Sequence, residues 1–241
     1  MSKSDIKKDR FYFNEKFLGS PSGRTLRIIS EYLGPLSAIK KNKIRDTIVF
    51  YGSARIKDNN DSYINGFYGK ARELSSKLTK WSNENYEHSN RFVITSGAGP
   101  GIMEAANEGA SKAGGKTLGL GISLPMEPTN NNWISSGLSF VFHYFFMRKF
   151  WFVYLTKGIV VWPGGFGTLD ELFDVLTLIQ CKKIKKKIPI VLFGEKFWDG
   201  LIDWDRLIEN KVILKEDLDL FVVLDTVDET FDYLTTHMDT K

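Results

Sequence analysis

The segment 158–171 reads GIVVWPGGFGTLDE, and it decides the fold class. Its first five residues form a short apolar run rich in β-branched side chains, which predicts a buried strand. The glycines that follow interrupt the strand, and apolar side chains then recur at helical spacing from residue 169 to about residue 180. The segment therefore predicts a strand, a tight glycine loop and a helix, in that order.

The same alternation of apolar runs and helical patterns extends through the chain on both sides of this segment. The predicted strands are 47–51, 92–95, 117–124, 158–162, 188–193 and 220–224, and the predicted helices are 63–81, 102–113, 169–180, 197–210 and a last one from about 228. Strands that alternate with helices form a parallel sheet with helices packed on it. We predict an α/β fold, a Rossmann-like doubly wound parallel sheet flanked by helices on both faces.

The chain before residue 46 differs from the rest. We predict that residues 1–45 form an N-terminal arm with one helix and that residues 46–241 form a single Rossmann-like domain. Residues 1–20 show little periodicity and many charges, which is typical of a mobile arm. Apolar residues recur at helical spacing over 25–40, and we expect Gly34 and Pro35 to kink or split that helix.

Composition and charge disfavour several classes of protein. Of 241 residues, 42% are hydrophobic and 26% are charged, which is typical of a globular protein. The net charge of +4 is too small to demand a nucleic-acid partner, and no apolar run is long enough to predict a membrane helix. The single cysteine, Cys181, forms no intrachain disulfide, so we expect a cytoplasmic protein. The three histidines are widely separated, so we predict no metal site.

Other conspicuous polar residues are expected to have ordinary roles. His143 lies in the aromatic stretch 140–146, which favours a packed or interface side chain over a general acid. Cys181 has no base close to it in sequence and is expected to be a passive thiol. The lysine-rich run 182–187 is expected to be a solvated loop before the next strand.

Three strand ends carry glycine-rich loops, at residues 52–54, 96–101 and 163–168. Where a helix follows such a loop, its free backbone N–H groups and its positive dipole end favour a phosphate. Tight strand-to-helix turns also need glycine for purely structural reasons. Three such loops at the carboxyl ends of one sheet favour a shared phosphate or nucleotide site.

Two familiar nucleotide motifs do not fit these loops. The dinucleotide fingerprint needs a third glycine where Ile102 stands, and no acidic residue ends the next strand. The run 110–117, ASKAGGKT, has a relaxed P-loop spacing, but it follows a helix and leads into a strand, the reverse of what a P-loop needs. A nicotinamide dehydrogenase and a P-loop enzyme are therefore both disfavoured.

Glu171 admits two interpretations. Thr168 and Glu171 have the spacing of a capping box, in which both side chains satisfy free amides at the start of a helix. Alternatively, the carboxylate acts beside an anion site and is held there by a cation. Arg148 and Lys149 supply cations within the mostly aromatic stretch 142–152, on a helix expected to lead into the strand 158–162.

These motifs together resemble the LOG (Lonely Guy) family of cytokinin riboside 5′-monophosphate phosphoribohydrolases, whose members are often labelled "lysine decarboxylase". The resemblance lies in PGGFGTLDE at 163–171, in Arg148–Lys149 before it, in GAGPGIMEAA at 97–106 and in GSAR at 52–55. It extends over roughly residues 47–193, and Ala98 stands where glycine is more usual. The segments on either side resemble the longer bacterial members.

The resemblance implies roles for particular residues. Arg148 and Glu171 match the catalytic arginine and glutamate of the family. The substrate- and phosphate-binding residues that the resemblance implies are Glu127, Lys149, Gly164, Gly165, Phe166, Gly167, Thr168, Leu169, Asp170 and Thr177. Independently of the resemblance, we expect Ser53, Gly97 and Gly99 of the other two glycine loops to border the ribose or the base. The resemblance also implies a homodimer that needs neither a cofactor nor a metal.

We therefore expect an enzyme that hydrolyses the bond between base and ribose in AMP or in an N6-modified AMP. The main alternative is a non-catalytic protein of the same fold that binds or senses a nucleotide. A third is a relative of this fold that carries a molybdenum cofactor. The presence of both Arg148 and Glu171 favours the enzyme, because a protein that only binds has no need of that carboxylate.

Overall fold

The computed structural model describes residues 10–59, 61–86, 90–123 and 130–240. Within them, seven strands form one sheet in which every neighbouring pair is parallel. The strands are β1 (Thr47–Tyr51), β2 (Val93–Ser96), β3 (Thr117–Ile122), β4 (Ser139–Phe142), β5 (Thr156–Val161), β6 (Ile190–Phe193) and β7 (Val222–Leu224). The predicted α/β class and all six predicted strands are confirmed, and β4 was missed. That strand lies at one edge of the sheet and is largely exposed, so it lacks a buried apolar run.

Nine α-helices accompany the described strands. They are α1 (Glu15–Gly19), α2 (Arg24–Lys41), α3 (Gly66–Asn85), α4 (Ile102–Lys112), α5 (Phe145–Tyr154), α6 (Phe166–Gln180), α7 (Glu195–Trp198), α8 (Trp204–Glu209) and α9 (Val227–His237). The helix predicted over 197–210 is thus two short helices. In the arm predicted for residues 1–20, the described part contains a 3-10 turn, Phe11–Phe13, and helix α1. No helix among the described residues is both long and apolar enough to cross a bilayer.

Helix α2 runs through Pro35 as one continuous helix, so the split that the sequence allowed does not occur. Proline has no N–H to donate to the carbonyl four residues earlier, which here belongs to Glu31. The indole Nε1 of Trp151 on α5 donates to that carbonyl instead, at 3.0 Å. The tertiary contact thus satisfies the carbonyl that proline would leave free, and it fastens α2 to α5.

Helices pack on both faces of the sheet in two apolar layers. One layer joins α2, α5 and α6 through Ile39, Met147, Trp151, Phe152, Leu172, Val175 and Leu176. The other joins α3, α4 and α9 through Phe67, Leu74, Leu78, Ile102, Ala106, Ala110 and Leu234. Successive residues of β1 face opposite layers, so that Tyr51 points to the α5 and α6 side and Phe50 to the other.

The strand order, β4-β3-β2-β1-β5-β6-β7, reverses direction between β1 and β5. The chain builds outward from β1 to one edge, then returns to the other side of β1 with β5. In sheets of this kind, the loops that follow two such strands diverge, and ligands bind in the crevice between them at the carboxyl ends of the strands. The last paired residues there are Tyr51 of β1 and Val161 of β5.

Candidate active site

The loop after β5 ends in an open helix start. Helix α6 begins at Phe166, and its N-cap, Gly165, contributes no capping side chain. The Leu169 N–H donates to the Gly165 carbonyl at 3.0 Å, so the N–H groups of the three residues before Leu169 have no acceptor within the helix. Gly165, Phe166 and Gly167 are exposed, so this helix start faces solvent with its free amides and positive dipole end, a geometry suited to an anion.

The capping interpretation of Glu171 is wrong. Because the helix begins three residues earlier than the sequence predicted, Thr168 is its third residue and not its cap. Its side chain packs on the loop instead. A Cβ added to Gly164 would lie 2.1 Å from Thr168 Oγ1, which explains why glycine is required there. Glu171 lies one turn further along α6 and is free for another partner.

That partner is Arg148 of α5. Its Nη2 lies 2.9 Å from Glu171 Oε1, and the side chains are 13% and 6% exposed. The guanidinium also lies over the ring of Phe145, 5.1 Å from its centroid, and 5.7 Å from that of Phe152. The two residues that the resemblance marks as catalytic are therefore joined in a nearly buried ion pair.

Burial raises the pKa of the Glu171 carboxyl, while Arg148 and Lys149 act in the opposite direction. The positive charge of Arg148 favours the ionised carboxylate and so lowers the pKa. The cost of removing the carboxylate from water is larger, however, and the net pKa lies above the ordinary value of 4.5. A carboxyl group in this state is suited to taking up a proton during a reaction.

A second, more exposed ion pair flanks the first. Lys149 Nζ lies 2.9 Å from Asp170 Oδ1 and 3.8 Å from Asp174 Oδ1. Burial lowers the pKa of Lys149, but its hydrogen bond to Asp170 and the charge of Asp174 outweigh burial and raise the pKa overall. Lys149 is thus a fixed positive charge whose ammonium is shared between two carboxylates at the mouth of the crevice.

The three glycine loops meet at this edge of the sheet. The Ser53 N–H donates to the Pro163 carbonyl, and the Ile102 N–H donates to the Ser53 carbonyl, each at 3.1 Å. Gly101 has φ of +69°, and a Cβ there would lie 2.3 Å from the Ser53 carbonyl oxygen. Ser53 thus joins the loop after β5 to the loop after β2. The close approach of these loops requires glycine at position 101.

The loop after β2 is held by a side chain that the sequence did not single out. Asn131 Nδ2 donates to the carbonyls of Ala98 and Gly99, at 3.0 and 3.1 Å. Ala98 has φ of +68°, a conformation that favours glycine, which is the residue more usual there. A Cβ on Gly97 or Gly99 would lie 2.7 Å from the flexible end of the Met103 side chain, which can move aside, so packing does not by itself require glycine at either position.

One predicted binding residue among those described lies away from the start of α6. Thr177 is exposed in the last turn of α6, nine residues beyond Thr168, which a helical rise makes about 13 Å. Glu127 lies outside the described residues. Leu169 is half-buried and packs against the core layer of α5 and α6.

Sequence reasoning also missed Tyr51, the last residue of β1. Its side chain is buried, and its ring meets that of Phe152 edge-on at 5.0 Å between centroids. Burial raises its pKa, as do Glu171 and Asp174, whereas Arg148 lowers it. An apolar strand interior gives no sequence signal for a polar group at the site. Among the described residues, no cluster of three or more His, Cys, Asp or Glu side chains has the geometry of a metal site.

Comparison with known proteins gives one family. A family model described as "Possible lysine decarboxylase" matches residues 103–234, more than half of the chain. Among curated protein sequences, none matches significantly. The solved structure of the structural-genomics protein TM1055 is 21% identical, covers 79% of this chain and 99% of its own, and has a TM-score of 0.51, which shows a shared fold. The Moco carrier protein of Chlamydomonas reinhardtii is 18% identical, with 80% and 97% covered and a TM-score of 0.49.

Proposed function

The chain belongs to the LOG family, to which the matched family model corresponds, and on that premise we propose that it hydrolyses the N-glycosidic bond of a nucleoside 5′-monophosphate. The products are a free base and ribose 5-phosphate. Family membership points to a nucleotide-related function and to a hydrolase. AMP or an N6-modified AMP is the proposed substrate.

The observation that carries this proposal is the position of the Arg148–Glu171 pair relative to the start of α6. Gly167 and Thr168 present backbone amides, and Glu171 follows four and three residues later, on the same side of the helix. A nucleotide whose phosphate accepts hydrogen bonds from those amides brings its ribose about one helical turn away, beside the carboxylate.

Cleavage of the base–ribose bond passes through a ribose with oxocarbenium character. In the proposed mechanism, Glu171 stabilises that positive charge and accepts a proton from the attacking water. The water oxygen bonds to the anomeric carbon, the bonding electrons leave with the base, and the base takes up a proton. Arg148 orients the carboxylate and contacts the sugar phosphate with the donors that Glu171 leaves free.

The proposal is tested by incubating the purified protein with a panel of nucleoside 5′-monophosphates, the corresponding nucleosides and the 3′-monophosphates. We expect base and ribose 5-phosphate to appear in equal amounts, and only from the 5′-monophosphates. Tight binding of AMP without release of adenine would overturn the hydrolase and leave a nucleotide-binding protein.

We propose further that the protein works as a homodimer. Four aromatic side chains of α5 are 38–51% exposed: Phe145, Phe146, Phe150 and Tyr154. Leu26, Ile29 and Leu33 of α2 are similarly exposed. An exposed apolar surface of this kind is typical of protein–protein interfaces. Light scattering of the purified protein is expected to give twice the monomer mass of 27.5 kDa, and a monomer at micromolar concentration would contradict the dimer.

A further inference from the structure

Tyr51 occupies the point where the strand order reverses. It is the last residue of β1, its carbonyl accepts from the Trp162 N–H at 2.8 Å, and its side chain is 4% exposed. The ring is held edge-on against Phe152 of α5. A tyrosine locked in this way has little freedom to turn its hydroxyl toward solvent.

Two buried polar groups here have no hydrogen-bond partner within the described protein: the Tyr51 hydroxyl and Arg148 Nε. Both lie around Phe152, whose ring is in contact with Tyr51 and 5.7 Å from the Arg148 guanidinium carbon. Leaving a buried donor unsatisfied is unfavourable, so such groups in native proteins usually bind a water or a ligand. Arg148 Nε belongs to the guanidinium whose Nη2 contacts the Glu171 carboxylate, and the charge of Glu171 acts on the Tyr51 hydroxyl.

The charges around the hydroxyl are those of the proposed catalytic centre. Glu171 and Asp174 of α6 and Arg148 of α5 act on Tyr51, and Arg148, Lys149 and Asp170 act on Glu171. Because burial and the two carboxylates raise the pKa of Tyr51, its hydroxyl keeps its proton and remains a donor at neutral pH.

We infer that the Tyr51 hydroxyl and Arg148 Nε together bind one water molecule that donates a hydrogen bond to the Glu171 carboxylate. The water oxygen accepts from the Nε–H and from the phenol, which satisfies both buried donors. Tyr51 is thereby a positioning residue, acting on the carboxylate through the water and not on the substrate. Its effect on turnover rests on the proposed function, whereas its effect on the carboxylate does not.

Tyr51→Phe removes the hydroxyl and keeps the ring on Phe152. The matched control is Tyr68→Phe, since Tyr68 is also buried and its hydroxyl lies 3.3 Å from Glu108 Oε2 in the opposite layer. Glutamate labelled with carbon-13 at the carboxyl reports the pKa of Glu171 by NMR, with the signal assigned from Glu171→Gln. We expect Tyr51→Phe to raise the pKa of Glu171 by about 0.5–1 unit, because the ionised form loses a donor relayed through the water. Tyr68→Phe should leave it unchanged.

An unchanged pKa of Glu171 in folded Tyr51→Phe would overturn the inference. A pKa shift seen only when ribose 5-phosphate is bound would also overturn it, because the oxygen that accepts from the hydroxyl would then belong to the ligand and not to a water. A double-mutant cycle with Arg148→Lys, which lacks Nε, tests the shared water: the effect of Tyr51→Phe should be smaller in that background, and full additivity would contradict it. Thermal unfolding checks that each variant folds, and loss of the hydrogen bond from the hydroxyl to the water should lower the melting temperature of Tyr51→Phe only slightly.

These measurements need no turnover. If the wild type releases no base and Tyr51→Phe still shifts the pKa of Glu171, the proposed function fails and the water site stands. If the wild type is active, Tyr51→Phe should lower kcat about tenfold with KM within a factor of about two, and the acidic limb of kcat/KM should move to higher pH.

Discussion

The Arg148 guanidinium lies 2.9 Å from the Glu171 carboxylate although the two residues stand 23 positions apart on different helices. Helix α5 leads into β5 and helix α6 leaves it, so the strand brings the two side chains to the same end of the sheet. Burying such a pair removes both charges from water, which costs about as much as the attraction returns. Its position at the crevice therefore argues for a functional pair more than for a stabilising one.

Replacing Glu171 by glutamine tests the role of the carboxylate. The amide keeps the shape of the side chain and can still accept from Arg148, but it cannot take up a proton or carry negative charge. We expect release of base to fall at least about 100-fold, with the Kd for AMP within about threefold of the wild type. Adenine release and calorimetric titration measure the two quantities.

The matched control for this substitution is Glu108→Gln. Glu108 is also a buried carboxylate paired with an arginine, Arg72, at 3.3 Å, but it lies in the opposite layer. The Glu108→Gln variant should keep the kcat of the wild type. Equal losses of binding and turnover in Glu171→Gln would show that the carboxylate serves the structure of the site and not the reaction.

Removing the guanidinium has a different consequence. Arg148→Ala leaves the Glu171 carboxylate buried without its partner, so we expect both AMP affinity and turnover to fall and the free energy of unfolding to drop by about 3 kcal/mol. Denaturant titration and steady-state kinetics measure these changes. Arg72→Ala is the comparison for stability: the Arg72 side chain is 35% exposed in its pairs, and its loss should cost about 1 kcal/mol or less. Hydrolysis at the wild-type rate by Arg148→Ala would remove Arg148 from the mechanism.

The raised pKa of Glu171 predicts the acidic limit of activity. Burial is the main cause, and Arg148 only partly offsets it. If the reaction needs the ionised carboxylate, kcat/KM falls as the pH drops through a value above 4.5, and the pH–rate profile should show that midpoint. The free energy of unfolding depends on pH in the opposite direction from kcat/KM. A carboxyl whose pKa is raised in the folded protein stabilises that state while it is protonated, and this stabilisation is lost as the pH rises through the folded pKa. The stability advantage of the wild type over Glu171→Gln should accordingly shrink over the same range, and an acidic midpoint at or below 4.5 would contradict the assignment.

Much of the fold followed from hydrophobic periodicity, because buried parallel strands appear in sequence as short apolar runs. Strand β4 did not, since three of its four residues lack full burial and its aromatic side chains resemble those of the helix that follows. Pro35 failed as a helix breaker because a tryptophan from another helix satisfies the carbonyl that proline leaves free. Each exception depends on a tertiary contact that no local pattern contains.

The residues of the candidate site also fall into those that the sequence predicted and those that it did not. The glycine loop and the residues Arg148 and Glu171 were identifiable from motif spacing, and the structure brings them together. The spacing between Thr168 and Glu171 favoured a cap because it did not reveal that the helix starts at Phe166. Neither Tyr51 nor Asn131 could be predicted from the sequence. Tyr51 lies in an apolar strand, and Asn131 acts by donating to backbone carbonyls of a loop distant in sequence.

The contact between the loops after β1 and β2 gives a fourth prediction. Gly101→Ala places a side chain on a residue with positive φ and puts its Cβ 2.3 Å from the Ser53 carbonyl oxygen. Gly114→Ala places one at a similar φ of +77°, but with no atom within 4 Å of the new Cβ. We expect Gly114→Ala to lower the free energy of unfolding by about 1–2 kcal/mol from backbone strain alone. Gly101→Ala should cost clearly more and also weaken AMP binding, because Ser53 must move. Equal losses of stability in the two variants, with AMP binding intact, would show that the close approach has no consequence.

Lys186 gives a pH dependence of stability with its own sign. The lysine-rich run 182–187 was expected to be solvated, but Lys186 is half-buried and its ammonium donates to the carbonyls of Val153 and Tyr154, at 2.6 and 3.1 Å, at the end of the helix that carries Arg148. Burial, and then the charge of Lys157, lower its pKa to about 8, with Asp46 opposing.

The sign of this effect follows from proton binding. Between pH 8 and the ordinary value of 10.5, the unfolded chain holds the Lys186 proton more tightly than the folded protein does, so this residue makes the folded state more stable as the pH rises. Lys186→Met removes the titration, and Lys185→Met removes an exposed charge from the same loop as the control. Urea unfolding at several pH values from about 7 to about 10 should show the wild type gaining stability relative to Lys186→Met but not relative to Lys185→Met. A pH-independent difference between the wild type and Lys186→Met would mean that the helix-end contact holds the ammonium charged, because its two carbonyl acceptors then outweigh burial.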